Sequence, residues 1–254
     1  KALSALGLIK IKFFKVTESN DLLNKAFSLA QKHKETCPLD YCAALFRLGQ
    51  TIFLKGEYTK AITKLNEAIE FICQYFGSDS HELINVKSCL GYLQYKSSNY
   101  NQAKTTLEET LNLINRYYHE NSSKRAYVLR LLGVIKMIEG NHPKALDLMK
   151  QSSEIYKSIF GVDHPETATA IDTLGQYYLK EGDLRNAEYY IEQGLKKRIQ
   201  IFGEMHAEVA RSFNRYASLR SDQGKYFEAV KLYEKALEIV VSCFGVNHPE
   251  TAGA

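Results

Sequence analysis

The chain has 254 residues, 45% of them hydrophobic, with four prolines, no tryptophan and a formal charge of +4. No run of about 18 apolar residues is present to cross a bilayer, and the lysines scattered through KALSALGLIKIKFFKV are unlike the unbroken apolar stretch of a secretory signal. So few prolines, almost all at element boundaries, argue against strands and for long helices.

In chain order, residues 1–34 come first and are the most basic. Seven lysines stand there against Glu18 and Asp21, a balance of +5 that leaves −1 for the remainder. A phosphate-binding surface would have to sit on this segment. No aromatic–basic interleaving or nucleic-acid motif accompanies the lysines, and a solvated face is the simpler reading.

From residue 35 the chain repeats. Leu48-Gly49, Leu90-Gly91, Leu132-Gly133 and Leu174-Gly175 recur at a step of 42 residues, and Tyr216-Ala217 continues the series. In phase with it run Ala61, Ala103, Ala145, Ala187 and Ala229, then Ala68, Thr110, Ser152, Gly194 and Ala236. Between the first two registers stands a breaker, Gly56, Ser98, Gly140, Gly182 or Gly224, where a helix is expected to stop. Each unit therefore reads as helix, tight turn, helix, over approximately 40–77, 82–119, 124–161, 166–203 and 208–245. Carried backward, the register places Leu6-Gly7 and Ala26 in a degenerate helix pair over 1–34 that would cap the array.

Small residues at fixed offsets have a physical meaning. Antiparallel helices approach to about 8–10 Å only where one presents little side chain to the other. Leu45, Leu48 and Ile52, facing Ile62, Leu65, Ile69 and Ile72, form stripes that neither helix can bury alone, so neighbours must stack. The expected fold is all-α, a solenoid of antiparallel helix pairs.

Second helices end at Phe76-Gly77, Phe160-Gly161, Phe202-Gly203 and Phe244-Gly245, with glycine suited to a left-handed residue after a helix C-terminus. Tyr118-His119 is the unit without it. The chain re-enters a helix through FGVDHPETA (160–168), FGEMHAEVA (202–210) and FGVNHPETA (244–252), where Pro165 and Pro249 fit a first helical turn. The chain stops inside the last of these linkers and opens on Lys1, so it reads as a fragment of something larger.

Those residues carry a family resemblance. Leu-Gly in the first helix, Gly56-Glu57-Tyr58 and Gly224-Lys225-Tyr226 at the turns and paired small residues in the second helix resemble the tetratricopeptide repeat. The 42-residue period and the Phe-Gly-x-x-His-Pro-Glu-Thr-Ala linker look like its kinesin light chain branch. The resemblance implies a right-handed superhelical solenoid whose first helices line a concave, peptide-binding face. The carried-over positions are Arg47 and Gln50; Tyr92, Tyr95 and Lys96; Tyr127 and Arg130; Asp172 and Gln176; Arg211, Asn214 and Arg215. Arginine forks suit carboxylates and stack on rings, so the expected ligand is an extended, acidic segment of a partner protein. Packing on other domains of the same full-length protein, as a regulatory or sensor arm, is one alternative. Nucleic-acid binding through the lysine-rich first unit is another, and a weak one.

Other chemistry has little footing. There is no phosphate loop, nucleophile elbow or His-Glu-x-x-His, so an enzyme is not expected, and no cofactor is implied. Five scattered cysteines read as free thiols in a reducing, cytoplasmic setting. His164, His206 and His248 form a ladder at 42-residue steps. Packed helices lie roughly 10 Å apart, whereas zinc ligands sit about 2 Å from one ion. The ladder cannot share a metal, and each histidine is expected to be a cap or linker contact at a helix start.

Overall fold

The computed structural model describes residues 16–245, and all of its elements are helices. They are α1 (Val16–Lys32), α2 (Pro38–Leu54), α3 (Tyr58–Phe76), α4 (Leu83–Lys96), α5 (Tyr100–Tyr117), α6 (Ser123–Ile138), α7 (His142–Phe160), α8 (Pro165–Lys180), α9 (Leu184–Phe202), α10 (Ala207–Asp222) and α11 (Tyr226–Phe244). Leu6-Gly7, His248 and Pro249 lie outside the described residues. The chain divides into two compact bodies, Lys1–Tyr118 and His119–Ala254.

In the first body α2 pairs with α3 and α4 with α5, while α1 packs on α2 and α3 on α4. In the second, α6 pairs with α7, α8 with α9 and α10 with α11, and successive pairs pack through α7 on α8 and α9 on α10. The helices α6, α8 and α10 also touch in succession, as α2 and α4 do in the first body.

The Leu-Gly register is the point of closest approach. A Cβ on Gly49 would lie 2.9 Å from Leu65 Cδ2, on Gly91 2.6 Å from Leu107 Cγ, on Gly133 2.8 Å from Met149 Cγ and on Gly175 2.8 Å from Ile191 Cγ1. Each partner lies sixteen residues further on, in the second helix of the same pair. In the fifth pair, Ala217 replaces glycine and Tyr233 occupies the partner position, with its hydroxyl 3.0 Å from Ser218 Oγ. The second register, Ala61 through Ala229, is buried throughout.

Both kinds of linker use backbone that side chains resist. Turn glycines such as Gly140 have φ near +79°, and Ser98 takes the same turn at φ +62° with a side chain attached. The Phe-Gly glycines differ from expectation. Gly77 has φ +86° and ψ +158°, an extended region open essentially to glycine alone rather than the left-handed helical one. Its N–H still closes the helix on Cys73 O at 3.1 Å. Tyr118, in the unit without that glycine, leaves its helix in ordinary extended conformation.

The histidine ladder resolves into N-caps. His164 Nδ1 accepts the Glu166 N–H at 3.2 Å and His206 Nδ1 accepts the Glu208 N–H at 3.2 Å. Each ring stacks on the phenylalanine that ended the previous helix, Phe160 at 4.1 Å and Phe202 at 4.4 Å between centroids. One residue thus satisfies a helix-start donor and fixes the angle of entry.

Candidate functional site

The first-helix residues divide between the two bodies. In the first, Arg47 and Gln50 are half-buried on α2, and Tyr92 and Tyr95 on α4, with Lys96 exposed. Their setting is aromatic: Phe53 meets Tyr92 edge-on at 5.6 Å, Tyr92 neighbours Tyr95 at 6.4 Å, and Tyr95 neighbours Tyr100 at 6.1 Å. The Lys96 ammonium lies 6.0 Å from the Tyr92 centroid, at the outer range of a cation–π contact.

The second body holds a cluster of arginines around one buried carboxylate. Asp172, on α8, is 0% exposed. It cannot line a groove, and this corrects the expectation from its register. Gly194 on α9 makes the burial possible, since a Cβ there would lie 3.1 Å from Asp172 Cβ. Arg198, one helical turn further along α9 and 2% exposed, donates from Nη1 to Asp172 Oδ2 at 2.6 Å and to Ser212 Oγ at 2.6 Å. Arg215 of α10 also pairs with Asp172 Oδ2. One carboxylate oxygen therefore holds guanidinium groups from two helices.

Sequence reasoning missed Arg198, although the repeat marks it. The same position is Ile72, Ile114, Tyr156 and Val240 in the other pairs, and that of Ser212 is Ala44, Val86, Val128 and Ala170. A cation and a hydroxyl appear together in two otherwise apolar or small columns. Burial pulls the Arg198 guanidinium down to about 10; Glu208 works against that shift, and Arg211 and Arg130 add to it. It stays protonated at neutral pH.

Around this centre stand the remaining expected residues. Arg130 on α6 lies over the Tyr127 ring at 5.4 Å and keeps a buried Nε without a partner. It and Glu166 both interact with the Tyr156 hydroxyl, whose pKa burial pushes well above the usual range, with Glu166 adding to the rise. Arg211, half exposed, donates to Glu208 Oε1 at 2.6 Å. Gln176 and Asn214 are half-buried, and Asn214 Oδ1, like Asp172 Oδ1 and Arg198 Nε, is buried without a partner. Val134, Met137 and Thr173, which share the first-helix register, lie in the interior.

A second ionic hub was also missed. Arg220 Nη1 pairs with Glu188 Oε1 at 2.7 Å and Nε with Glu228 Oε2 at 3.2 Å, and the guanidinium lies over the Tyr216 ring at 4.6 Å. Tyr216 in turn donates to Glu192 Oε1 at 2.7 Å, so α9, α10 and α11 are tied through one side chain. Burial opposes the charge here, but Glu188 and Tyr216 outweigh it and the guanidinium pKa is raised.

No group of three or more metal-ligating side chains occurs among the described residues. Burial pushes the Cys42 thiol to about 11 and the Cys89 thiol to about 12, so neither is a nucleophile at neutral pH. No helix among the described residues is long and apolar enough to cross a membrane.

Residues 124–200 and 208–253 match the family model for the tetratricopeptide repeat. The chain is a tetratricopeptide repeat protein. No curated protein sequence matches it. Among solved structures, the tetratricopeptide fold is similar to BtubC (BKLC) from P. vanneervenii, at 19% identity and a TM-score of 0.71 over 92% of this chain and 94% of the other. It is similar also to a putative kinesin light chain from Podosopora anserina with nearly identical TPR-like repeats, at 16% identity and 0.59, over 79% of this chain and 95% of that one. A third is a Rap protein complexed with competence and sporulation factor, at 13% identity and 0.68, over 95% and 74% of the two chains. At these identities the likeness is one of fold, and the tetratricopeptide fold is that of a protein-interaction scaffold.

Proposed function

We propose that this chain binds an extended, acidic segment of a partner protein on its first-helix faces. In the second body Arg130, Arg211 and Arg215 meet the segment's carboxylates, with Tyr127, Gln176 and Asn214 beside them. In the first, Tyr92, Tyr95 and Lys96, with Arg47 and Gln50, receive its apolar anchors. The observation that carries the reading is the crowding of guanidinium groups around Arg198, where Arg130 and Arg211 both act against its charge. Asp172 and Glu208 offset part of that charge from within. An added carboxylate relieves what remains, and arginine forks bind one with directed, charge-assisted hydrogen bonds. The Rap protein, a neighbour of the same fold, has competence and sporulation factor bound, which is a precedent for a ligand on such a scaffold.

The test is fluorescence anisotropy with a labelled hexaglutamate peptide, and hexaglutamine as control, on the full chain in low salt. Replacing Arg130, Arg211 and Arg215 together by alanine is expected to weaken hexaglutamate binding at least tenfold, about 1.4 kcal/mol. Unchanged binding, or equal binding of hexaglutamine to the native chain, refutes the role of charge.

A further inference from the structure

The repeat allows each position to be compared with its counterparts 42 residues away, and one such comparison exposes a gap. In the second body Tyr178 of α8 and Tyr190 of α9 stack face to face, 5.4 Å between centroids and 6° between planes, with Tyr189 against the edge of Tyr190 at 5.1 Å. The counterparts in the first body are Gln94 for Tyr178, Thr106 for Tyr190 and Thr105 for Tyr189. Three rings are replaced by short polar side chains on the same helix-pair scaffold. The space they leave is an open cavity of about 340 Å³ lined by Gln94, Asn101, Gln102, Thr105 and Thr106.

The lining has a definite chemistry. It presents carboxamides and hydroxyls and carries no charge, so nothing there answers a carboxylate or an ammonium group. Gln94 is only 9% exposed, and its Oε1 is buried without a hydrogen-bond partner. A buried acceptor left bare is costly, and a ligand that brings a donor removes the penalty. The volume lies within the range of small-ligand sites, roughly 300–1,000 Å³.

We propose that this cavity receives a tyrosine side chain from a partner segment. The ring takes the place that Tyr190 fills in the second body, and the phenol hydroxyl donates to Gln94 Oε1. A phenylalanine would fit the space but leave Oε1 bare, so the pocket selects the hydroxyl. It is a subsite distinct from the first-helix arginines, and its test involves none of them.

The probe is p-cresol, the tyrosine side chain as a free molecule, titrated into the full chain and followed by ¹H–¹⁵N spectra, with toluene as the analogue lacking the hydroxyl. Saturable shifts are expected at the backbone amides of Gln94, Thr105 and Thr106 and at the Gln94 carboxamide, with toluene binding at least fivefold more weakly. Thr106→Tyr, which restores a ring from the chain itself, is expected to weaken p-cresol at least tenfold. Gln94→Leu, which keeps the bulk and removes the acceptor, should abolish the preference for p-cresol over toluene. Absence of saturable shifts at these residues overturns the proposal. So does equal affinity for toluene in the native chain, or unchanged p-cresol affinity in Thr106→Tyr.

Discussion

Replacing Asp172 by alanine should be among the most damaging single substitutions in the second body. Arg198 is 2% exposed, and Asp172 supplies its only close carboxylate, since Glu208 Oε2 stands off at 3.8 Å. Removing one partner of a buried pair costs about 3–5 kcal/mol, because the remaining charge is desolvated without compensation. Arg215 adds little to that figure, being partly exposed to water once released. Against a domain stability of about 5–15 kcal/mol the loss is severe. The columns of the repeat supply the rescue. In Asp172→Ala, Arg198→Ile and Ser212→Ala combined, α9 and α10 carry residue types found at these positions in other pairs, Ile72 or Ile114 and Ala44 or Ala170. Replacing a buried pair by apolar side chains of similar volume is neutral or stabilising, so the triple variant should regain most of what the single one loses. Urea unfolding followed by circular dichroism at 222 nm reads both, with amide exchange in α8, α9 and α10 locating the effect. A single variant within about 1 kcal/mol of the native chain, or a triple variant no more stable than the single one, would refute the reasoning.

Three further outcomes follow from the geometry. Gly175→Ala puts a Cβ 2.8 Å from Ile191 Cγ1 and 3.0 Å from the Ile191 backbone nitrogen, which cannot turn aside. Overpacking of about 1–3 kcal/mol outweighs a helix-propensity gain near 1 kcal/mol, so thermal unfolding should shift down, and an upward shift sinks the close-approach argument. Ser98→Gly relieves a side chain held at φ +62° and should stabilise by about 0.5–1 kcal/mol; a destabilised variant in urea titration would contradict this. His206 caps α10 through a neutral Nδ1, and burial lowers its pKa, with Glu208 opposing and Arg211 assisting. A lowered histidine pKa means stability that is full above the unfolded value of about 6.5 and is lost as pH falls through the folded value. His206→Asn keeps a capping acceptor that does not titrate. Its urea midpoint should therefore fall less than the native one between pH 7.5 and pH 5, and parallel curves would count against the neutral cap.

The helix pairs were legible because their cause is periodic. Gly49, Gly91, Gly133 and Gly175 announce a close approach at each step, and each faces the second-helix residue sixteen places on. Depth was not legible in the same way. Asp172 shares a register with Phe46, Ser88, Arg130 and Asn214, and that spacing assigns it a helix face without saying how far it sits from solvent. Its burial depends on Gly194, on the partner helix, having no side chain. Arg198 could have been found from the sequence, as a charge in a column that is otherwise apolar or aromatic. Arg220 could not, because its column runs Ile52, Gln94, Lys136 and Tyr178, and only the structure brings Glu188 and Glu228 to it.

Arg198 and Arg220 together change how the second body responds to load. In a one-dimensional array each repeat contacts its neighbours alone and can in principle melt or be peeled away one at a time. Here one guanidinium anchors α9 to α8 and α10, and the other anchors α10 to α9 and α11. Detaching α10 would break both anchors at once and strand a cation in the interior. The four helices from Pro165 to Phe244 should therefore come apart as a single cooperative block, and a pulling experiment would see one large step across them rather than two small ones.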